Sequence, residues 1–193
     1  AAQAEADQAA LLVVGTHGMS GLKTNLLGRN SYRTIEQSPV PVLIVREDFD
    51  FDKTLDTIVV PIDSSDDTRQ KVGAASLFAR TFGSTIHLLG LYTSSSADTR
   101  RIVDNYMQSV VRLFEKNKVN FISKSLEVEH NVTADTLAYA TAVRADMVAI
   151  MTEQERSLRN LLLGTYAQQM INQATMPVLT VRPKPVQTEN ANY

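Results

Sequence analysis

The strongest constraint on this chain is that one stretch of it occurs twice in a single register. Leu26-Leu27-Gly28 recurs as Leu162-Leu163-Gly164, Pro41 as Pro177 and Arg46 as Arg182, each 136 positions later with no gap between landmarks. Self-similarity at a fixed offset marks one architectural unit used twice. An apolar run precedes the landmarks in each copy, Leu11-Leu12-Val13-Val14 and Met147-Val148-Ala149-Ile150-Met151. Another follows them, Val42-Leu43-Ile44-Val45 and Val178-Leu179-Thr180-Val181. Short apolar runs without alternation read as strands buried on both faces of a parallel sheet. Between the runs, Leu22, Leu26, Leu27 and Ile35, matched by Leu158, Leu162, Leu163 and Ile171, predict a helix. Pro39 and Pro41 end the first of these helices and start the next strand. Each copy therefore reads strand, loop, helix, strand, a crossover of right-handed sense.

The second copy also carries an upstream half. Thr57-Ile58-Val59-Val60-Pro61-Ile62-Asp63 reads as a buried strand ending on an acid. Ser64 and Ser65 are candidate helix N-caps, with Asp66 and Asp67 in the favourable first turn. The helix they open is expected to bury Val72, Ala75, Phe78 and Phe82 and to end at Gly83. A strand from Thr85-Ile86-His87-Leu88-Leu89-Gly90-Leu91 follows, then a long helix carrying Ile102, Val103, Tyr106, Val110, Leu113 and Phe114. A weakly apolar strand over residues 122–128 belongs at a sheet edge, and a helix with Leu137, Ala138 and Ala142 leads back to the repeat. The alternation predicts an α/β fold with an open, doubly wound parallel sheet of five strands. Residues 1–50 read as the closing part of a first domain, 54–183 as a complete second domain and 184–193 as a tail. The first copy's opening strand falls before position 1. The expectation is that the natural protein is longer, or that the N-terminal segment completes another chain's domain by swapping.

Charge and composition narrow the function classes. A net charge of −2 with no basic run excludes a dedicated nucleic-acid grip. The absence of cysteine removes disulfides, thiolate metal sites and a cysteine nucleophile. No apolar run approaches the roughly 18 to 20 residues that span a bilayer. Ala1-Ala2-Gln3-Ala4-Glu5 lacks the pattern of a signal peptide, so a cytoplasmic location is expected. The three histidines are scattered without spaced carboxylates, and no metal site is expected. No nucleophile elbow, Walker loop or carboxylate–histidine set is present. At most a very slow hydrolysis is compatible with that, and no catalytic residue is assigned.

The segment suited to chemistry is Gly15-Thr16-His17-Gly18, with nine residues between Gly18 and Gly28. Glycines after a buried strand let backbone N–H groups approach a phosphate, and the following helix N-terminus adds a favourable dipole. This pattern, with Pro39-Val40-Pro41-Val42-Leu43-Ile44-Val45 behind it, resembles the closing half of a universal stress protein domain. Val59-Val60-Pro61-Ile62-Asp63-Ser64-Ser65 resembles that family's opening strand. The resemblance implies a five-stranded adenine nucleotide alpha hydrolase-like sheet in the order 3-2-1-4-5, dimerisation often through the last strand, and, in one subset, ATP held between the first and fourth strands. It assigns an acid at the end of the first strand to the adenosine, and a glycine motif followed by Gly-Ser or Gly-Thr to the phosphates.

Carried over, neither copy is intact. The first keeps Gly15, Gly18 and Gly28, with Arg29 in place of a small hydroxyl residue and as a candidate phosphate contact. The second keeps Asp63, Gly164 and Thr165, but Met151 and Gln154 replace its leading glycines, and a side chain at Gln154 crowds the phosphate path. ATP is thus expected at the first site and weak or absent binding at the second. Other readings stay open: a plain tight turn at Gly15 and Gly18, relief of helix–sheet crowding at Gly28 and Gly164, and a helix-start acid at Asp63. His17 reads as a loop or interface residue, His87 as core or interface, and His130 as exposed. The sequence supports a nucleotide-sensing stress protein that pairs through its last strands. A purely structural scaffold with a protein partner and the regulatory end of a transporter are the rivals.

Overall fold

Strands form at every apolar run that lacks alternation, because only burial on both faces satisfies such a run. The computed structural model describes residues 2–15, 28–46, 49–50, 52–152 and 163–184. In chain order its elements are α1 (Ala2–Ala6), β1 (Leu12–Gly15), α2 (Arg29–Gln37), β2 (Val42–Val45), β3 (Thr57–Ile62), α3 (Val72–Phe82), β4 (Thr85–Tyr92), α4 (Ala97–Lys116), β5 (Phe121–Glu127), α5 (Val132–Ala142), β6 (Met147–Met151), α6 (Thr165–Gln173) and β7 (Val178–Val181). Among the described residues no helix is long and apolar enough to cross a membrane.

The strands make one seven-stranded sheet in the order β1-β2-β7-β6-β3-β4-β5. This corrects the expected five-stranded, all-parallel sheet. β5, β4, β3, β6 and β7 keep the succession third, second, first, fourth, fifth, and β2 and β1 extend it. Every pairing is parallel except β2 with β7, which is antiparallel through Val42↔Thr180, Leu43↔Leu179 and Ile44↔Val178. Two last strands with apolar side chains on both faces cover each other's open edge instead of leaving it in water. The Thr180 hydroxyl donates to the Val42 carbonyl at 3.2 Å, and the Arg46 guanidinium donates to the Ala174 carbonyl at 2.9 Å, across the same junction.

The pleat sends alternate residues to opposite faces. Val59, Val148, Ile150 and Val178 pack with Ile35, Ala140, Met170 and Ile171 of α2, α5 and α6. Ile58, Val60, Ala149 and Leu179 pack with Val72, Ala75, Val103 and Phe114 of α3 and α4. β5 forms the edge expected of it, with Ile122 half exposed.

The 136-position offset also relates element boundaries. α2 and α6, and likewise β2 and β7, have boundaries offset by the same 136 positions. Their N-caps share one backbone conformation, Gly28 at φ −64°, ψ 152° and Gly164 at φ −60°, ψ 152°. The likeness extends further upstream than the sequence motifs reach. α1 matches the last turns of α5: Gln8 and Arg144 both take positive φ, at 50° and 53°, just past the helix end. The Ala9 N–H donates to the Ala4 carbonyl at 2.9 Å and that of Ala145 to the Ala140 carbonyl at 2.8 Å, the same helix-ending bond in both places.

Several local expectations are corrected. α3 begins at Val72, not after Ser65, because residues 64–71 form successive turns held by side chains described below. Gly83 does end α3 in the left-handed conformation, at φ 74°. Phe82, expected in the core, is 57% exposed, and Ile102 and Leu113 of α4 face outward, whereas Met107 is buried. α2 starts at Arg29 and α6 at Thr165, so Leu163 precedes its helix. Leu22, Leu26, Leu27, Leu158 and Leu162 lie outside the described residues, as does the tail beyond Lys184.

Leu179 is fully buried at the junction strand. Leu179→Ala is expected to lower stability by about 2–5 kcal/mol, the usual cost of emptying a leucine site in a packed core. Urea unfolding followed by circular dichroism measures it.

Candidate functional site

A parallel sheet opens where neighbouring strands send their crossover helices to opposite faces. β3 and β6 are such a pair: α3 leaves β3 on one face and α6 leaves β6 on the other. They are bridged only near their beginnings, through Ile58↔Met147 and Val59↔Val148, while β3 and β4 stay paired from Thr57 to Ile62. The carboxyl ends of β3 and β6 therefore diverge, and the crevice between them is the natural ligand position in this fold.

Asp63 stands at its β3 side with only 9% of its surface exposed. Its carboxylate accepts from the Ser65 N–H at 2.9 Å, and its own N–H donates to the Thr68 hydroxyl at 3.2 Å. Ser65 thus serves Asp63 and does not cap a helix. Lys71, also buried, donates from Nζ to the Thr68 carbonyl at 2.6 Å and to its hydroxyl at 3.1 Å. Burial pulls the Lys71 ammonium down to about 8, against the opposing effect of the Asp63 charge. These bonds hold residues 64–71 in turns and explain the late start of α3.

The β6 side is built by Thr152, Gly164 and the first turn of α6. The Gly164 N–H donates to the Thr152 carbonyl at 2.9 Å, closing the loop on the strand end. The preceding N–H, of Leu163, donates at 3.1 Å to the carboxylate of Glu36 on α2. That carboxylate occupies a donor beside the helix N-terminus and sets negative charge where an incoming phosphate would lie. Thr165 is exposed at the start of α6. Tyr166 is partly buried and turns its hydroxyl inward, where it is enclosed together with those of Thr136 and Thr152. The Tyr166 phenol is pushed well above its ordinary range by burial first and by the Asp63 charge second.

The N-terminal segment builds the matching position from β1 and α2. Gly15 ends β1, and the Ser31 hydroxyl of α2 donates to its carbonyl at 3.3 Å. Gly28 precedes α2 in an extended conformation open to any residue, and among the described residues a Cβ added there meets nothing within 4 Å. Arg29 opens α2. Thr16, His17 and Gly18 lie outside the described residues, as does Gln154.

The sequence-predicted residues lie in two separate places. Asp63, Gly164 and Thr165 surround the β3–β6 crevice, with Met151 buried at the end of β6. Gly15, Gly28 and Arg29 lie beyond the antiparallel junction, so the carboxyl ends of β1 and β6 point to opposite edges of the sheet. Four strand steps separate β1 from β3, roughly 19 Å. His87 is half-buried, its Nδ1 3.0 Å from the Tyr139 hydroxyl, and His130 is exposed with its Nδ1 3.0 Å from Asp135. Among the described residues no cluster of His, Asp and Glu suits a metal ion. Sequence reasoning missed Lys71, Glu36 and Tyr166. The repeat offset, which aligns Tyr166 with Asn30 and Glu36 with Asn172, carried a signal for the last two.

A model of the universal stress protein family matches residues 1–46 and 54–182. The chain belongs to the universal stress protein family. Its fold is that of a universal stress protein from Archaeoglobus fulgidus DSM 4304, with a TM-score of 0.68 at 17% identity over 93% of this chain and 63% of that one. A universal stress protein from Pseudomonas aeruginosa UCBPP-PA14 gives 0.66 at 18% identity over 94% and 66%. A universal stress protein solved in complex with cAMP gives 0.53 at 18% identity over 67% and 98%. This universal stress protein thus spans about two thirds of the length of the first two relatives. No curated protein matches it.

The Lys71 environment gives a pH signature. The native chain releases this proton near 8 and the unfolded chain near 10.5. Between those values the unfolded state binds more protons, so native stability rises with pH, by up to about 3 kcal/mol. Lys71→Met lacks the titration, so its stability relative to the parent is expected to fall as pH goes from 7.5 to 10. Urea titrations of both proteins across that range test the slope; a difference flat with pH contradicts it.

Proposed function

We propose that this universal stress protein is a cytoplasmic nucleotide sensor, a tandem of two units in which residues 1–50 belong to the first and 54–183 to the second. ATP or a related nucleotide binds at Gly15, Gly18, Gly28 and Arg29, and the second position, with Asp63, Gly164 and Thr165, is degenerate. The observation that carries this reading is the bareness of Gly28. Its backbone angles admit any residue and a Cβ added there meets no described residue within 4 Å, which suits approach of a ligand to the start of α2. At the equivalent position of the second unit the first turn is obstructed from two sides, by Glu36 on the Leu163 N–H and by the inward Tyr166. A family relative solved with cAMP makes nucleotides the first ligands to try. With no nucleophile–base pair in the sequence, bound nucleotide acts as a signal, not as a substrate turned over quickly.

A second reading, an association scaffold, is favoured by one observation. A cavity of about 540 Å³ lies between α3 and the beginnings of β1 and β2, lined by Leu11, Pro41, Leu77, Phe78 and Phe82 among others. Leu77 and Phe82 are more than half exposed there, the kind of apolar surface that partners cover. Association with a second copy or capture of another protein both suit it.

Gly28→Leu separates the two readings. Because the backbone and the space at Gly28 accept a side chain, the variant is expected to melt within about 2 °C of the parent, a surface-type change. Calorimetric titration is expected to show ATP binding to the parent and at least ten-fold weaker binding to the variant. A folded parent that binds neither ATP nor cAMP rejects the sensor reading and leaves the scaffold.

A further inference from the structure

We propose that the cavity between α3 and the starts of β1 and β2 binds a single-chain amphiphile with an anionic head, a fatty carboxylate. Its chain lies along α3 and its carboxylate meets Arg182 and Lys184. The inference goes beyond the sensor reading, since the cavity lining includes none of Gly15, Gly28, Arg29, Asp63, Gly164 and Thr165. α3 carries two apolar stripes at helical spacing. Val72, Ala75 and Ala79 are buried against the sheet, whereas Ala74, Leu77, Phe78 and Phe82 line the cavity. Leu77 and Phe82 stay more than half exposed, and the Phe78 and Phe82 rings stack with centroids 5.9 Å apart. They form a continuous apolar wall, not scattered surface atoms. The other wall comes from Leu11, Pro39, Val40 and Pro41, which lead into β1 and β2. Neither segment makes this cavity alone; the β2–β7 seam brings its two walls together.

The charged groups of the lining gather at one end. Gln70, just ahead of α3, donates from Nε2 to the Lys184 carbonyl at 2.9 Å and accepts at Oε1 from the Lys184 N–H at 2.7 Å. The segment that follows β7 is thereby fixed at the beginning of α3, while Phe82 lies at the helix's far end. Gln70 Nε2 also donates to Asp67 at 2.8 Å, so its amide is fully engaged within the protein. Arg182 and Lys184 are the charged residues of the lining, and no acid lines it, in a chain whose net charge is −2. Among the described residues neither cation makes a salt bridge. Two cations at one end of an apolar trough are complementary to a carboxylate on an apolar chain. The volume of about 540 Å³ is that of a small-ligand site. From Gly73 to Phe82 the helix supplies about 14 Å of wall at its usual rise. An extended chain advances roughly 1.2 Å per bond, so about ten to twelve carbons span that wall. Gly73 is exposed on the cavity side, and among the described residues a Cβ added there meets nothing within 4 Å. A larger side chain at that position fills the trough without displacing α3.

The test titrates decanoate calorimetrically into the full chain, below the concentration at which decanoate forms micelles, with decanol as the probe that lacks the charge. Expected is saturable binding of one decanoate per chain, at least five-fold tighter than decanol. Gly73→Leu is expected to weaken both probes at least ten-fold while melting no lower than the parent. Arg182→Gln combined with Lys184→Gln is expected to weaken decanoate at least five-fold and to leave decanol within two-fold, a split that a merely structural role would not produce. A folded parent without saturable decanoate binding overturns the proposal. So does a Gly73→Leu protein that binds as the parent does, or a charge variant that weakens both probes equally. Sedimentation covers the other occupant: a parent dimer that Gly73→Leu dissociates, with no decanoate bound, assigns the groove to a second copy and overturns the proposal as well. If Gly73→Leu does not fold, Leu77→Glu, at a position already more than half exposed, takes its place under the same affinity criteria. None of these variants alters Gly28 or Arg29, so the sensor reading stands or falls separately.

Discussion

The antiparallel contact between β2 and β7 is the interaction on which the placement of the N-terminal segment depends. A strand–helix–strand segment alone buries too little surface to fold. By pairing β2 with β7, the N-terminal segment joins a core that residues 57–181 already make, and Val42 and Ile44 become as buried as Val178 and Leu179. Reversal of strand direction at one seam also gives the sheet an approximate two-fold relation between its first two strands and β6–β7. That relation points the carboxyl ends of β1 and β6 in opposite directions.

The same seam brings α2 to Leu163, just ahead of α6. Glu36, near the end of α2, reaches the Leu163 N–H, and Arg46, just past β2, reaches the Ala174 carbonyl. Such contacts let the two equivalent positions diverge without disturbing the backbone they share. Gly28 and Gly164 keep one conformation, while Asn30 and Tyr166, or Asn172 and Glu36, differ in size and charge.

Much of this frame was legible because it rests on strong local signals. The offset of Gly28, Pro41 and Arg46 from Gly164, Pro177 and Arg182 announced a repeated unit, and uninterrupted apolar runs announced buried strands. Gly83 was readable as a helix stop because only a left-handed residue ends α3 there. What escaped depended on contacts distant in sequence. α1 is five residues of alanine-rich chain, too short to show periodicity, and only its match to the end of α5 makes it intelligible. Ser64 and Ser65 carried a sound capping signal, but Asp63 competes for the Ser65 N–H and Lys71 fastens the following turns through Thr68. The exposure of Phe82 follows from its place at the last turn of α3, where helical spacing alone does not reveal how far the sheet extends. At the candidate site, glycine spacing was visible, whereas the inward course of Tyr166 depends on how β3 and β6 part.

The seam itself is open to a direct chemical test, since the chain contains no cysteine. Leu43 and Leu179 are register partners across β2 and β7. Cysteines at both positions, oxidised in dilute protein, are expected to form a cross-link within one chain, detected by intact mass and by faster migration without reductant. Two single-cysteine variants that stay unlinked serve as controls. A double variant that remains reduced while folded, or that links only between chains, would show that β2 and β7 do not meet within one molecule and would contradict the account.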